Sequence, residues 1–221
     1  LRRQRQMCIR DSKYPVEQVA TPEGYARNPE LVINFYNERR KQLLDVVPNA
    51  GHLGVADLER DFNVTVVTQN VDNLHERAGS THVIHLHGEL TKVCSSRDPY
   101  NPHFVKELAP EEYEVKLGDK AGDGTQLRPF IVWFGESVPE IETAIRYVEQ
   151  ADIFVIIGTS LNVYPAAGLL NYVPRAAEVY LIDPKPVDTH VMRPIHVIQK
   201  GASEGVKELK ALLTVTQPPL P

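Results

Sequence analysis

The sequence predicts an α/β fold in which a mostly parallel sheet carries helices on both faces and one small inserted module. Compact runs of β-branched and aromatic residues recur at 64–68, 130–134, 153–157, 179–182 and 195–198. They are apolar throughout instead of alternating, which suits parallel strands covered on both faces. Helical patterns lie between them. Strands alternating with helices imply right-handed βαβ crossovers, a Rossmann-like arrangement.

Residues 1–12 show neither helical nor strand periodicity, and we expect them to be a non-native leader outside the fold. Residues 13–221 should form one domain, its helical part spanning 24–62 and its inserted module 91–128. Asn28-Pro29 supplies a cap and a first-turn proline for a long helix. On it Leu31, Phe35, Leu43 and Leu44 can share a buried stripe while Glu38, Arg39 and Lys41 point elsewhere. A short helix is expected over 52–60, with Leu53, Val55, Ala56 and Leu58 apolar. Further helices should cover 139–150, with Ile141, Ala144, Ile145 and Val148 on one face, and 165–172. A last helix over 203–213 has Ser203 as cap and Val206, Leu209 and Leu213 as its buried pattern. Residues 91–128 break the rhythm with Asp98-Pro99, Asn101-Pro102 and Gly122-Asp123-Gly124. That module must be held by turns and by apolar anchors such as Phe104, Leu108, Tyr113 and Leu127.

With 221 residues, 42% of them hydrophobic, the chain can bury one substantial core. A formal charge of −5 and the lack of a basic stripe argue against a nucleic-acid-coating protein. No apolar run approaches the roughly 20 residues needed to span a bilayer, so no membrane segment is expected. Two cysteines, Cys8 and Cys94, make neither a disulfide framework nor a four-cysteine metal site. The expectation is a cytoplasmic monomer.

Ligands of open α/β sheets sit beyond the carboxyl ends of the strands, so the polar residues there are the ones to weigh. Thr68-Gln69-Asn70-Val71-Asp72-Asn73 follows the first strand. These side chains either hold a ligand or, through Asp72 or Asn73, cap the short helix leading to Ala78-Gly79. Gly158-Thr159-Ser160 lets the backbone approach a ligand while hydroxyls reach phosphate or ribose oxygens, a pattern many α/β loops share. No G-x-G-x-x-G fingerprint is present. His82, His85 and His87 have a spacing compatible with a metal site. On a strand, however, His85 and His87 face one side and His82 the other, and no cysteine or carboxylate completes a set. A histidine before Gly88 at a strand end suits general-base work; a hydrogen-bonded, partly buried histidine is the plainer alternative. Tyr36 and Arg39 share a helix face at i, i+3, and a phenol beside a guanidinium suits a carboxylate. A solvated helix face is the commoner use of such residues.

Taken together these motifs resemble the sirtuin family over residues 14–213. Thr68-Gln69-Asn70-Val71-Asp72-Asn73-Leu74-His75, followed by His85-Leu86-His87-Gly88-Glu89-Leu90, resembles the family's NAD-binding and catalytic segments in order and spacing. Val132-Trp133-Phe134-Gly135-Glu136 resembles its substrate-docking strand. Gly158-Thr159-Ser160-Leu161-Asn162-Val163-Tyr164-Pro165 resembles its second nucleotide loop. Phe35-Tyr36-Asn37-Glu38-Arg39-Arg40 is similar to the class III branch, which includes bacterial deacylases that remove succinyl and malonyl groups.

The resemblance implies an NAD-dependent protein-lysine deacylase that yields free lysine, nicotinamide and O-acyl-ADP-ribose, with acyl-lysine proteins or peptides as partners. It implies His87 as base, with Gln69 and Asn70 at the nicotinamide ribose and Asn70 positioning the reacting groups. Val71 and Asp72 would hold the carboxamide, and Gly158, Thr159 and Ser160 the adenosine half. Asp183 would stand where the family has an asparagine at the adenosine ribose, and Ala202 would touch the adenine. Tyr36 and Arg39 would bind the acyl group. Val132, Trp133, Phe134, Gly135 and Glu136, with Asn162, Val163 and Tyr164, would bind the substrate.

Two further departures from the family stand out. Its opening strand and glycine-rich loop should precede Tyr14 and do not, so the expectation is weak NAD binding and poor turnover. Its four zinc cysteines should fall in 91–128, where only Cys94 lies, so no zinc is expected. A non-catalytic nucleotide-binding module is the alternative, and a metal-dependent hydrolase using the histidines is a third reading.

Overall fold

The apolar run Ile153–Ile157 is a strand over its full length in the computed structural model, which describes residues 14–159, 166–186 and 193–216. The chain begins with three helices, α1 (Val16–Val19), α2 (Pro22–Arg27) and the long α3 (Pro29–Leu44). Helix α4 (Ala50–Asp57) runs into a 3-10 turn at Leu58–Arg60. Strand β1 (Val66–Thr68), helix α5 (Leu74–Ala78) and strands β2 (Val83–His85), β3 (Gly88–Ser95), β4 (Lys106–Glu107) and β5 (Leu127–Ile131) follow. Helix α6 (Ile141–Val148), β6 (Ile153–Ile157), a 3-10 segment Ala166–Tyr172, β7 (Glu178–Ile182), β8 (His196–Ile198) and α7 (Ala202–Thr216) complete the order.

The described residues divide into two compact units. The first holds those up to Val47 with Thr68–Asn73 and His85–Pro139; the second holds Pro48–Val67, Leu74–Ile84 and those from Glu140 onward.

In the second unit β6, β7 and β8 form a parallel sheet in that order. Val206, Leu209 and Leu213 of α7 pack with Tyr180, Ile182 and Ile198 of the sheet and with Val55 of α4 and Leu58 just after it. Each fully buried aliphatic side chain contributes about 1.5–3 kcal/mol, so this α7 stripe is a main source of the unit's stability. The helix approaches closely because residue 205 is glycine: a Cβ there would lie 2.1 Å from Ile182 Cγ2. The amide of Gly205 donates to Gly201 O at 2.8 Å, so the helix starts ahead of Ser203, which sits inside the first turn instead of capping it. Residues 166–172 wind as a 3-10 segment, tighter than the helix expected, and Leu53 of α4 is exposed. β1 and β2 make a separate two-stranded sheet.

In the first unit β3 is the centre of an antiparallel sheet ordered β4-β3-β5. This corrects the parallel reading of the 130–134 run. The chain returns from β3 to β5 through turns and 3-10 segments, without the crossover helix that a parallel neighbour needs. The strand also ends early, at Ile131, because residues 133–136 close a turn. Glu136 N–H donates to Trp133 O at 3.0 Å, Trp133 N–H donates to Glu136 Oε2 at 2.8 Å, and Gly135 has φ +91°.

Asn28 caps α3 as its sequence demands, accepting from Leu31 N–H at 3.0 Å ahead of Pro29. Phe35 and Leu43 are buried, but Leu44 is exposed, and the buried face also takes Tyr36, Asn37, Arg39 and Arg40. The expectation that Arg39 points away from the core is therefore overturned. The polar residues are tolerated because fixed acceptors await them. Asn37 makes a two-way bond with Val115, its Nδ2 donating to Val115 O at 2.7 Å and its Oδ1 accepting from Val115 N–H at 3.0 Å. Arg40 donates to Tyr113 O and to Asn37 Oδ1, each at 2.7 Å. Of the expected module anchors, Leu108 and Leu127 pack on a core of Ile33, Val93 and Val115. Tyr113 contributes its backbone carbonyl.

Candidate active site

The loop after β1 is held by its backbone. Thr68 is buried, and its Oγ1 accepts from Asn70 N–H at 3.0 Å, which turns the chain out of the strand. Three successive carbonyls are then taken up. His87 Nδ1 lies 3.1 Å from Gln69 O, His85 Nδ1 lies 3.2 Å from Asn70 O, and Leu90 N–H donates to Val71 O at 2.7 Å. A backbone carbonyl only accepts, so in both histidines Nδ1 carries the hydrogen. That leaves Nε2 of neutral His87 with its lone pair, the form a general base needs. Burial lowers the His87 pKa below its usual value and outweighs the opposing effect of the Gln69 bond. Gly88 lets the next strand come in: a Cβ there would lie 2.2 Å from Phe130 O, and its φ is +80°.

The three histidines do not converge. His82 Nδ1 pairs with Thr65 Oγ1 at 2.9 Å, and its ring lies 4.6 Å from that of Tyr147. Asn73 does not cap α5 through its side-chain oxygen, which is buried with no hydrogen-bond partner among the described residues. Cys94 is fully buried, and burial pushes its thiol up to about 12, so it is a protonated core group and not a thiolate ligand. Among the described residues no group of three or more His, Cys, Asp or Glu side chains is placed to hold a metal. The residues of 91–128 therefore do not fit the family's zinc. Within 91–128 an Asp123 carboxylate ties the turns together, accepting from Ser95 Oγ and Thr125 Oγ1 at 2.7 Å each and from Thr125 N–H at 3.0 Å.

Residues 132–136 are not the strand that the resemblance implied but the turn after β5. Phe134 is 58% exposed, whereas Trp133 is 2% exposed and Tyr36 is equally buried. Trp133 Nε1–H donates to Tyr36 Oη at 3.0 Å. The Glu136 side chain faces inward: Arg128 Nη1 and Nη2 donate to its two oxygens at 2.7 and 2.9 Å. Burial alone would raise the Glu136 pKa, but these bonds and that from Trp133 N–H hold it below normal. Glu136 and Trp133 thus stiffen the turn, leaving Val132 partly exposed and Phe134 exposed. Sequence reasoning missed Arg128 and Tyr100, whose hydroxyl also donates to Glu136 at 3.2 Å. The available signal was an arginine entering an apolar run eight residues before a glutamate, since a buried guanidinium requires a carboxylate partner. Arg39 donates weakly to Gln42 Oε1 at 3.4 Å, its guanidinium 4.7 Å over the Phe35 ring.

In the second unit Gly158, Asp183 and Ala202 lie past the carboxyl ends of β6, β7 and β8, the ligand edge of a parallel sheet. Gly158 has φ +62°, and among the described residues a Cβ built on it meets no atom within 4 Å. Thr159 follows. Asp183 Oδ1 accepts from Lys185 N–H at 2.8 Å, which fixes the carboxylate. Ser160, Asn162, Val163 and Tyr164 lie outside the described residues, as do residues 1–12.

The Sir2 family model matches residues 11–165. An NAD-dependent protein deacylase of Bacteroides thetaiotaomicron is 84% identical over 201 residues, which is 91% of this chain and 86% of that protein. One of Helicobacter pylori is 46% identical over 196 residues, 89% of this chain and 83% of its own. A solved Sir2 homologue in complex with NAD matches at TM-score 0.77 and 35% identity, covering 92% of this chain and 79% of that one. With a match over more than half its length and relatives this similar, the chain belongs to the Sir2 family.

Proposed function

We propose that this protein removes acyl groups ending in a carboxylate, succinyl or malonyl, from protein lysines, as well as acetyl groups, with His87 as the base. Its activity is NAD-dependent protein deacylation, as its family and its relatives establish. The observation that carries the assignment of His87 is the bond to Gln69 O, which fixes the tautomer with Nε2 as acceptor.

The residues of each unit suit a part of NAD: in the second, Gly158 at φ +62° meets no described atom at its Cβ position and admits a close backbone approach, and in the first, three pinned carbonyls hold the Gln69–Asp72 backbone in one shape. Bound NAD supplies an electrophilic ribose carbon once nicotinamide departs. In our reading Gln69 and Asn70 orient that ribose, and Val71 and Asp72 hold the carboxamide. Gly158, Thr159 and Ser160 receive the adenosine half, with Asp183 at its ribose and Ala202 at its adenine. His87 Nε2 takes the ribose hydroxyl proton. The turn Val132 to Glu136, through its exposed Phe134 above all, docks the peptide together with Asn162, Val163 and Tyr164. Tyr36 and Arg39 meet the distal carboxylate.

No metal takes part in this scheme. The protein should act as a cytoplasmic monomer, where NAD and acylated proteins meet and where one chain carries every group named. The test is nicotinamide release from NAD with a succinyl-lysine, malonyl-lysine or acetyl-lysine peptide. Release that needs both peptide and His87 supports the reading; NAD binding without turnover would leave a nucleotide-binding module.

A further inference from the structure

The indole of Trp133 has one hydrogen-bonding group, an N–H that only donates. Its bond to Tyr36 Oη therefore has one possible sense: the phenol oxygen accepts, and its own proton must point elsewhere. Among the described residues that proton has no acceptor. Burial raises the Tyr36 pKa, so the group remains a neutral phenol with a proton to give.

Trp133 is itself immobilised on every side. The Arg128 guanidinium lies 3.6 Å from its ring centroid, and the Tyr25 ring is 5.2 Å away. Its backbone N–H is held by Glu136, and Arg128 is fixed by both Glu136 oxygens and by Ile131 O at 2.8 Å. The network ends on Tyr36, one helical turn before Arg39 on α3.

We propose that Trp133 is a positioning residue for acyl-group selection: its N–H occupies the Tyr36 oxygen as acceptor and so presents the phenol proton as a donor to the acyl carboxylate. The Arg128–Glu136 pair holds the indole in place for this. The inference rests on the reading that Tyr36 meets the acyl carboxylate. It adds that selectivity is set by an indole N–H that touches no substrate.

Trp133 is the sole tryptophan of the sequence, so the N–H can be removed without changing the shape. Growth of a tryptophan auxotroph on benzothienylalanine replaces the ring N–H by sulfur at this position alone. This protein, Trp133→Phe, Tyr36→Phe and the double variant are compared on one peptide carrying succinyl-lysine or acetyl-lysine. Both Trp133 replacements should lower the succinyl-to-acetyl ratio of kcat/KM about tenfold, through KM on the succinyl peptide, the loss typical of weakening a hydrogen bond to a charged group. Tyr36→Phe should lower it at least as far, and the double variant no further than Tyr36→Phe alone. A ratio that survives loss of the N–H but falls in Tyr36→Phe overturns the positioning role and leaves the Tyr36 reading standing. A ratio that survives Tyr36→Phe overturns the reading itself. Equal losses on both peptides after sulfur replacement would reduce Trp133 to a packing group and also overturn the proposal.

Discussion

His87 Nδ1 donates to the backbone carbonyl of Gln69 at 3.1 Å, so the second residue after β2 is tied to the first residue after β1. One bond thus sets the tautomer of the base and the position of the loop that carries Gln69 and Asn70. Replacing His87 by Ala should lower kcat for deacylation by about 10²–10⁴-fold, the usual contribution of a general base. The melting temperature should change little by comparison. Near-normal turnover in His87→Ala would remove this residue from the mechanism. His82→Ala, at the Thr65 and Tyr147 contacts, should leave kcat near the parent value.

The pH profile follows from the burial of His87. Desolvation disfavours the cation, so the pKa falls below the ordinary value of 6.5. The active form is the neutral imidazole. It therefore persists to lower pH than an exposed histidine would allow, and the acid limb of kcat/KM should have its midpoint below 6.5. A midpoint above that value would mean that the group titrating in the free enzyme is not His87 in this environment.

The 91–128 module should need no metal, because Asp123 does the tying. Thr125 Oγ1 first, then Ser95 Oγ, hold this carboxylate well below the usual range. The unfolded chain thus binds the proton more readily than the folded one. Stability from Asp123 is fully present above the unfolded pKa, about 3.9, and is lost as pH falls through it towards the folded value. Asp123→Asn should melt earlier than the parent at pH 7, and the gap should narrow as the pH is lowered from 5 to about 3. A chelator should leave the parent melting temperature where it was. Stoichiometric zinc in the purified protein, or unfolding on chelation, would contradict this account of the module.

What the sequence made legible was local or periodic. Asn28-Pro29 marks the start of α3, and the residues at 153–157 form one of the sheet's strands without a correction. His87 could be singled out because Gly88 follows it. Two departures from that reading trace to partners far away in the sequence. The charged face of α3 reads as solvated, yet Arg40 is buried because Tyr113 O waits 73 positions away. The 130–134 run reads as a parallel strand, since nothing within it records that β3 lies alongside in the opposite sense. Periodicity reports a face; it does not report what covers that face.

Substrate preference is the sharpest remaining test. Arg39 is 9% exposed, its guanidinium over the Phe35 ring, so an acyl carboxylate reaching it would meet a largely desolvated charge. Such charge-assisted bonds are strong, and removing one partner leaves the other charge uncompensated. Arg39→Met keeps the aliphatic stem against Phe35 and removes the fork. It should lower kcat/KM on a succinyl-lysine peptide by about 2 kcal/mol, or roughly thirtyfold. The acetyl-lysine peptide has no distal carboxylate and should lose far less. Arg39→Lys restores the charge without the two-pronged geometry and should recover only part of the loss. Equal losses on both peptides would show that Arg39 serves the packing of α3 and that the carboxylate is read elsewhere.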